Sequence, residues 1–127
     1  MKTVLVIEDD KFSQKFIAKA LASNYDITLA GNGTDGLKAF QNTRPDIILL
    51  DVEMPGLNGY EVCDRIRQDD PNHSVPIVFL SGRSSVRERM LGYEAGGDDY
   101  MVKPFEQDEL LAKLSVLLKP KSCNLYV

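Results

Sequence analysis

Three runs of consecutive aliphatic or aromatic side chains constrain this chain most: Val4-Leu5-Val6-Ile7, Ile47-Ile48-Leu49-Leu50 and Ile77-Val78-Phe79-Leu80. None alternates with polar residues, so each reads as a strand buried on both faces, as central parallel strands are. Each run stops abruptly, on Glu8-Asp9-Asp10, on Asp51 and on Ser81-Gly82 respectively. Beyond Asp51, Pro55, Gly56 and Gly59 end the strand and force a loop. Ligands of open parallel sheets bind outside the carboxyl ends of the strands, which puts Asp51 on rigid support where chemistry is usually done. Taken alone, Asp51 reads equally well as an aspartate that starts a turn or caps the next helix.

Helical patterns fill the spaces between strands. One is expected from about Lys11 to Ala22, with Phe12, Phe16 and Ala20, and with them Ile17 and Leu21, turned inward. Asp26 to Ala30 reads as an edge strand, because Ile27 and Leu29 alternate with polar neighbours. Asn32-Gly33 opens a helix through Leu37, Ala39 and Phe40 that stops before Pro45. Asn58 with Glu61, and Ser85 with Glu88, have capping-box spacing. The first pair opens a helix carrying Tyr60, Cys63 and Ile66, and the second a helix ending near Gly96-Gly97. Asp99 to Val102 is a short strand, followed by a helix from about Glu106 to Leu118 with Leu110, Leu111, Leu114, Leu117 and Leu118 in one stripe.

Strand then helix, five times over, builds a parallel α/β sheet with helices on both faces. The three runs would bury roughly 20–35 kcal/mol of gross transfer energy, an upper bound because the unfolded chain already hides some surface. A chain of 127 residues forms one domain without staples. Its 43% apolar and 27% charged residues are those of an ordinary globular protein. No stretch has the length of a membrane span and the start lacks a signal-peptide pattern, so a cytoplasmic location with no membrane contact is expected. Cys63 and Cys123 lack metal-ligand spacing. A net charge of −4 argues against direct contact with nucleic acid.

The residues that close the strands form a short roster: Glu8, Asp9, Asp51, Ser81 and Lys103. If the first and third strands are neighbours, several carboxylates converge and repel, and a hard divalent cation such as Mg²⁺ relieves them. Lys103 and Ser81 would then neutralise the oxygens of a phosphoryl group at Asp51. A carboxylate is already ionised near neutral pH and needs no general base to act as nucleophile.

Five blocks carry a resemblance: Val6-Ile7-Glu8-Asp9-Asp10, Leu50-Asp51-Val52-Glu53-Met54-Pro55-Gly56-Leu57-Asn58-Gly59, Leu80-Ser81-Gly82, Ala95-Gly96-Gly97-Asp98-Asp99-Tyr100 and Val102-Lys103-Pro104-Phe105. Over residues 3–118 the chain resembles the receiver (response-regulator) domain of two-component signalling. The resemblance implies a flavodoxin-like (βα)5 doubly wound sandwich with a five-stranded parallel sheet of order 2-1-3-4-5. It implies that Asp51 accepts a phosphoryl group from the phosphohistidine of a sensor histidine kinase or phosphotransfer protein, with Ser81 and Lys103 binding the phosphoryl oxygens. Glu8, Asp9, Asp51 and the backbone carbonyl of Glu53 would hold Mg²⁺, for which Mn²⁺ can substitute. Ser81 and Tyr100 would be the switch pair, Tyr100 turning inward on phosphorylation, and Lys103-Pro104 a cis peptide. Glu53, Gly82 and Arg83 would tune access to the site. The surface of the fourth helix, fifth strand and fifth helix would recruit an output domain or partner, with a homodimer of the phosphorylated form among the expected assemblies. Such a chain is a phosphoacceptor switch rather than an enzyme.

Some residues keep two readings. Asp10 is a third metal-site acid or the cap of the first helix, the cap being favoured. Glu53 and Arg83 are expected to pair across the mouth of the site. His73 reads as solvated, and Arg65-Ile66-Arg67 and the Arg83–Arg89 stretch as a solvated helix face or a surface that meets an acidic partner, the solvated face being favoured. Residues 1–119 are taken as the receiver domain, and 120–127 as a tail or the start of a linker whose Leu125-Tyr126-Val127 is unusually apolar. The alternative function is an aspartyl-nucleophile phosphohydrolase with Glu53 as its second acid. A flavin module is disfavoured, because three acids after the first strand would repel a cofactor phosphate.

Overall fold

In the computed structural model, which describes residues 1–119, strands and helices alternate strictly: β1 (Thr3–Ile7), α1 (Lys11–Leu21), β2 (Asp26–Ala30), α2 (Gly33–Thr43), β3 (Ile47–Asp51), α3 (Gly59–Asp69), β4 (Ile77–Ser81), α4 (Val86–Glu94), β5 (Asp99–Val102) and α5 (Gln107–Leu117). All pairings are parallel and the order is β2-β1-β3-β4-β5, the flavodoxin-like arrangement. The reading of the chain end, including Leu125-Tyr126-Val127, lies outside the described residues.

Successive strand residues point to opposite faces, which is why the aliphatic runs need no polar alternation. Leu5, Ile7, Ile48, Leu50, Ile77 and Phe79 face one layer with Phe40 of α2 and Val62, Cys63 and Ile66 of α3. Val4, Val6, Ile47, Leu49, Val78 and Leu80 face the other, with Ile17 and Leu21 of α1 and Leu110 and Leu114 of α5. The buried Cys63 thiol, pushed up to about 12 by burial, donates to the Ala95 carbonyl, as expected of helix-face packing.

Several assignments need correction. Phe12 and Phe16, expected inward, are 80% and 40% exposed. The sheet-facing stripe of α1 is Gln14, Ile17 and Leu21, and the two phenylalanines lie one turn apart on the adjoining face. Phe16 instead meets Phe105 edge-on, with ring centroids 6.0 Å apart. Arg67, read as solvated, is buried, because it extends the inward stripe Gly59, Val62, Cys63 and Ile66 of α3. Its guanidinium reaches Asp70 (3.2 Å), Asp98 (2.8 Å) and the carbonyls of Val75 (2.6 Å) and Gly96 (2.9 Å). Gly96 adopts φ +107 beside it, and a Cβ there would stand 2.8 Å from Arg67 Cγ.

The capping box of α3 is complete. That of α4 is half made: Ser85 caps the Glu88 amide, but the Glu88 carboxylate leaves its own helix for the Tyr60 hydroxyl at 2.9 Å and Arg83 at 3.2 Å. Asp10 caps α1 by accepting from Ser13 at 2.8 Å, and this bond holds its carboxyl below the usual range.

Candidate functional site

Register brings the site together. Ile7 pairs with Leu50, so one step further sets Glu8 beside Asp51 at the carboxyl ends of β1 and β3. By strand parity Glu8, Asp51 and Lys103 continue the rows of Val6, Leu49 and Met101, and all three project toward α1 and α5. Ser81 and Tyr100 continue the opposite row, beside Phe79, and face α3 and α4. The pleat thus sorts the roster into an ionic set on one side and the expected switch pair on the other.

Glu8 is fully buried and Asp51 is 3% exposed. Carboxylate oxygens of Glu8, Asp9 and Asp51 lie within 4.8 Å of one another. Lys103 Nζ donates to Glu8 Oε1 at 2.6 Å and to Asp51 Oδ1 at 3.3 Å. Burial pushes Asp51 up to about 8, reinforced by the Glu8 carboxyl and only partly opposed by Lys103. Burial acts to lower Lys103, but Glu8 and Asp51 outweigh it and hold the ammonium above the ordinary lysine range. Three acids against one lysine leave an excess of negative charge, and an oxygen-only donor set suits a hard divalent cation. The residues therefore fit Mg²⁺, which when bound would supply a charge that lets the carboxylates ionise together.

The backbone is shaped to the site as well. Gln14 Nε2 donates to the Glu8 carbonyl at 2.6 Å and anchors the turn after β1. Gly59 admits no side chain, since a Cβ would collide with the Asp51 carbonyl oxygen, so α3 starts hard against Asp51. The Lys103-Pro104 peptide is cis, and the Lys103 amide donates to the Ser81 carbonyl at 2.7 Å.

The mouth differs from expectation. Glu53 and Arg83 do not pair: Arg83 binds Glu88, while Glu53 Oε2 accepts from Ser81 Oγ at 2.7 Å and Oε1 from the Gly82 amide at 3.4 Å. Glu53 is thus the acceptor for the two donors at the end of β4, where a pairing with Arg83 was expected. A Cβ built on Gly82 meets nothing within 4 Å, so the space above it is open. Tyr100 is already inward and 7% exposed, its hydroxyl buried without a hydrogen-bond partner among the described residues. Beside it Tyr60 donates to Glu88, and burial raises the Tyr60 phenol well above its usual value.

Gln14, Tyr60 and Glu88 were not singled out from sequence as members of this neighbourhood. Gln14 had a usable signal, its place three residues before Ile17 and seven before Leu21 on one helical face. Glu88 had none, because its spacing from Ser85 already satisfied a local explanation.

The chain is thus a doubly wound α/β protein with a lysine-bridged acidic pocket at the carboxyl edge of its parallel sheet. Residues 4–115 match the response regulator receiver domain family, and the chain belongs to it. It is 42% identical over 120 residues to the response regulator MprA of Mycobacterium sp. (strain KMS), covering 94% of this chain and 51% of that protein. The MprA of Mycobacterium ulcerans is 41% identical over 117 residues, covering 91% and 50%. The chain thus spans about half the length of these curated relatives. Among solved structures, Vibrio cholerae chemotaxis protein CheY4 superposes with a TM-score of 0.88 at 28% identity, covering 93% of this chain and 99% of that one. The BeF3-activated DrrB receiver domain superposes at 0.86 with 30% identity, covering 94% and 99%. No described helix is long and apolar enough to cross a membrane.

Proposed function

We propose that this chain is a phosphorylation-dependent switch whose acceptor is Asp51. The observation that carries the reading is Lys103 bridging Glu8 and Asp51 at the carboxyl edge of the sheet, 2.6 and 3.3 Å away, with Asp9 adjoining. An Asp51 oxygen attacks the phosphorus of a phosphohistidine. The P–O bond forms as the N–P bond breaks, and the imidazole leaves with the electron pair and takes up a proton. Lys103 and the Ser81 hydroxyl bind the oxygens of the transferred group. Glu8, Asp9, Asp51 and the Glu53 carbonyl would hold Mg²⁺ or Mn²⁺. The chain assists its own phosphorylation and dephosphorylation and turns over no external ester. The phosphohydrolase reading needs Glu53 free to protonate a leaving group, and Glu53 is instead bound to Ser81 and Gly82.

A phosphohistidine must approach over the rim of the pocket. There, Phe12, Phe16, Pro104 and Phe105 join Lys103 in lining a mostly apolar groove of about 400 Å³. Because Lys103 lines both groove and site, the kinase or phosphotransfer partner is assigned to this groove. The output domain or partner is assigned to the α4-β5-α5 side, where Val86, Met90, Leu91 and Tyr93 are exposed on α4. A phosphoryl group adds about −1.5 to −2 of charge with strong acceptor oxygens, and pulls Ser81 toward it. Since Tyr100 is inward beforehand, the change at β4 falls on Ser81 and the loop after it. Residues 1–119 are taken as the receiver unit, working in the cytoplasm without binding nucleic acid.

Intact-mass measurement with Mg²⁺ and acetyl phosphate tests the reading. One added phosphoryl group is expected on the wild type and none on Asp51→Asn. Labelling that persists in Asp51→Asn would overturn it.

A further inference from the structure

The Ser81 hydroxyl has one proton, and its direction is set. Its oxygen accepts the Arg83 amide at 3.0 Å, while its proton goes to Glu53 Oε2 at 2.7 Å. The other Glu53 oxygen takes the Gly82 amide at 3.4 Å. One carboxylate therefore occupies, with both oxygens, the hydroxyl and amide that end β4, beside the open space over Gly82. A single O–H or N–H cannot serve two acceptors at full strength, so a phosphoryl oxygen arriving at these donors must displace Glu53. Ser81 is fully buried but Glu53 is exposed, so the carboxylate can swing into water and leave the Ser81 hydroxyl free to turn to the phosphoryl group. The incoming group carries negative charge and repels Glu53 in the same direction.

We infer that Glu53 is a built-in competitor of the phosphoryl group, an internal anion that holds Ser81 and Gly82 in the unphosphorylated protein and must be evicted for the switch to close. This rests on the receiver reading above and adds a residue that sets its threshold. Glu53 acts through Ser81, opposing phosphoryl binding before transfer and retaking the hydroxyl once the phosphoryl group is lost.

Beryllofluoride, a phosphoryl mimic, tests this by calorimetry at saturating Mg²⁺, with Mg²⁺ affinity measured separately for each variant. Glu53→Ala should bind beryllofluoride on the order of tenfold more tightly than wild type, the ratio set by one hydrogen bond to a charged acceptor. Glu53→Gln loses the charge but keeps an acceptor and should fall between. In a Ser81→Ala background the gain from Glu53→Ala should shrink to about twofold, since coupling vanishes when the shared hydroxyl is absent. In metal-free protein the Gly82 amide resonance should shift in Glu53→Ala. Equal affinity in wild type and Glu53→Ala, an undiminished gain in the Ser81→Ala background, or an unmoved Gly82 resonance each overturns the inference and leaves the receiver reading standing. Failure of a folded wild type to bind beryllofluoride or to be phosphorylated overturns both.

Discussion

Charge is buried at both ends of this sheet, by opposite means. At the amino ends of β4 and β5, the Arg67 guanidinium meets two carboxylates and two carbonyls. Those carboxylates are themselves satisfied: Asp70 accepts from Ser74 and the Val75 amide, and Asp98 from the Ile77 amide. Burial acts to raise Asp70, but these bonds and Arg67 outweigh it and hold its carboxyl below the usual range. At the carboxyl end, Asp51 is met by Lys103 and, among the described residues, by no backbone donor. The first cluster is closed, and closure rigidifies. The second is left short of positive charge, and that shortage suits it to a cation and, in the function proposed above, to a phosphoryl group. Burial of charge is therefore a poor guide to function until the donors are counted.

Neutralising one charge at each end breaks the comparison most sharply. Asp51→Asn should abolish phosphoryl acceptance completely in the mass measurement yet leave the metal-free fold as stable as before or more so, since a crowded carboxylate is removed. Arg67→Ala should cost about 3–5 kcal/mol in urea unfolding, because it leaves a buried carboxylate unpaired, while Asp51 is still phosphorylated wherever the variant is folded. A marked stability loss in Asp51→Asn would reverse the assignment. Gly96→Ala, which forces a side chain into φ +107 against Arg67, should cost roughly 1–3 kcal/mol by the same assay.

Acidity should separate the two ends in sign. Folded Asp51 keeps its proton up to about pH 8, whereas the unfolded chain releases it near the ordinary carboxylate value of 3.8. Between those values the folded state binds more protons, so without metal this site's contribution to stability is present at low pH and lost as pH rises through about 8. Asp70 is lowered in the fold, so its contribution is present above the ordinary carboxylate range and lost as pH falls below it. Urea midpoints of metal-free protein should show the first loss in wild type and not in Asp51→Asn, and Mg²⁺ should stabilise more at pH 8.5 than at 6. The smallest effect is expected at the rim. Phe12→Ser should change stability by less than about 0.5 kcal/mol, since the ring is 80% exposed, and leave acetyl phosphate labelling unchanged. Transfer from the cognate kinase should slow, and an unchanged rate would remove Phe12 from the docking groove.

Much of the site was legible before folding. Asp51, Ser81 and Lys103 each follow an apolar run, and the end of such a run is a local signal. Asn32, Asn58 and Asp10 announced their caps in the same local way. Phe12 was misread because two helical stripes of comparable size compete on α1, and the face that meets the sheet is chosen by the neighbouring layer. Arg67 was misread because its charge spoke for solvent, while its partners Asp98 and Gly96 come from distant segments. The Glu53–Arg83 pairing failed for a related reason: each residue found a partner through geometry that spacing does not encode.

By itself, then, the sequence determined the alternation of elements, the burial of both faces of the sheet and the placing of acids and a lysine at strand ends, since these follow from local composition and chain stiffness. Tertiary structure alone decided the register that sets Glu8 against Asp51, that Lys103 reaches both, and that Glu53 holds Ser81. Those outcomes depend on contacts between residues far apart along the chain, whose distances exist only once the sheet has closed.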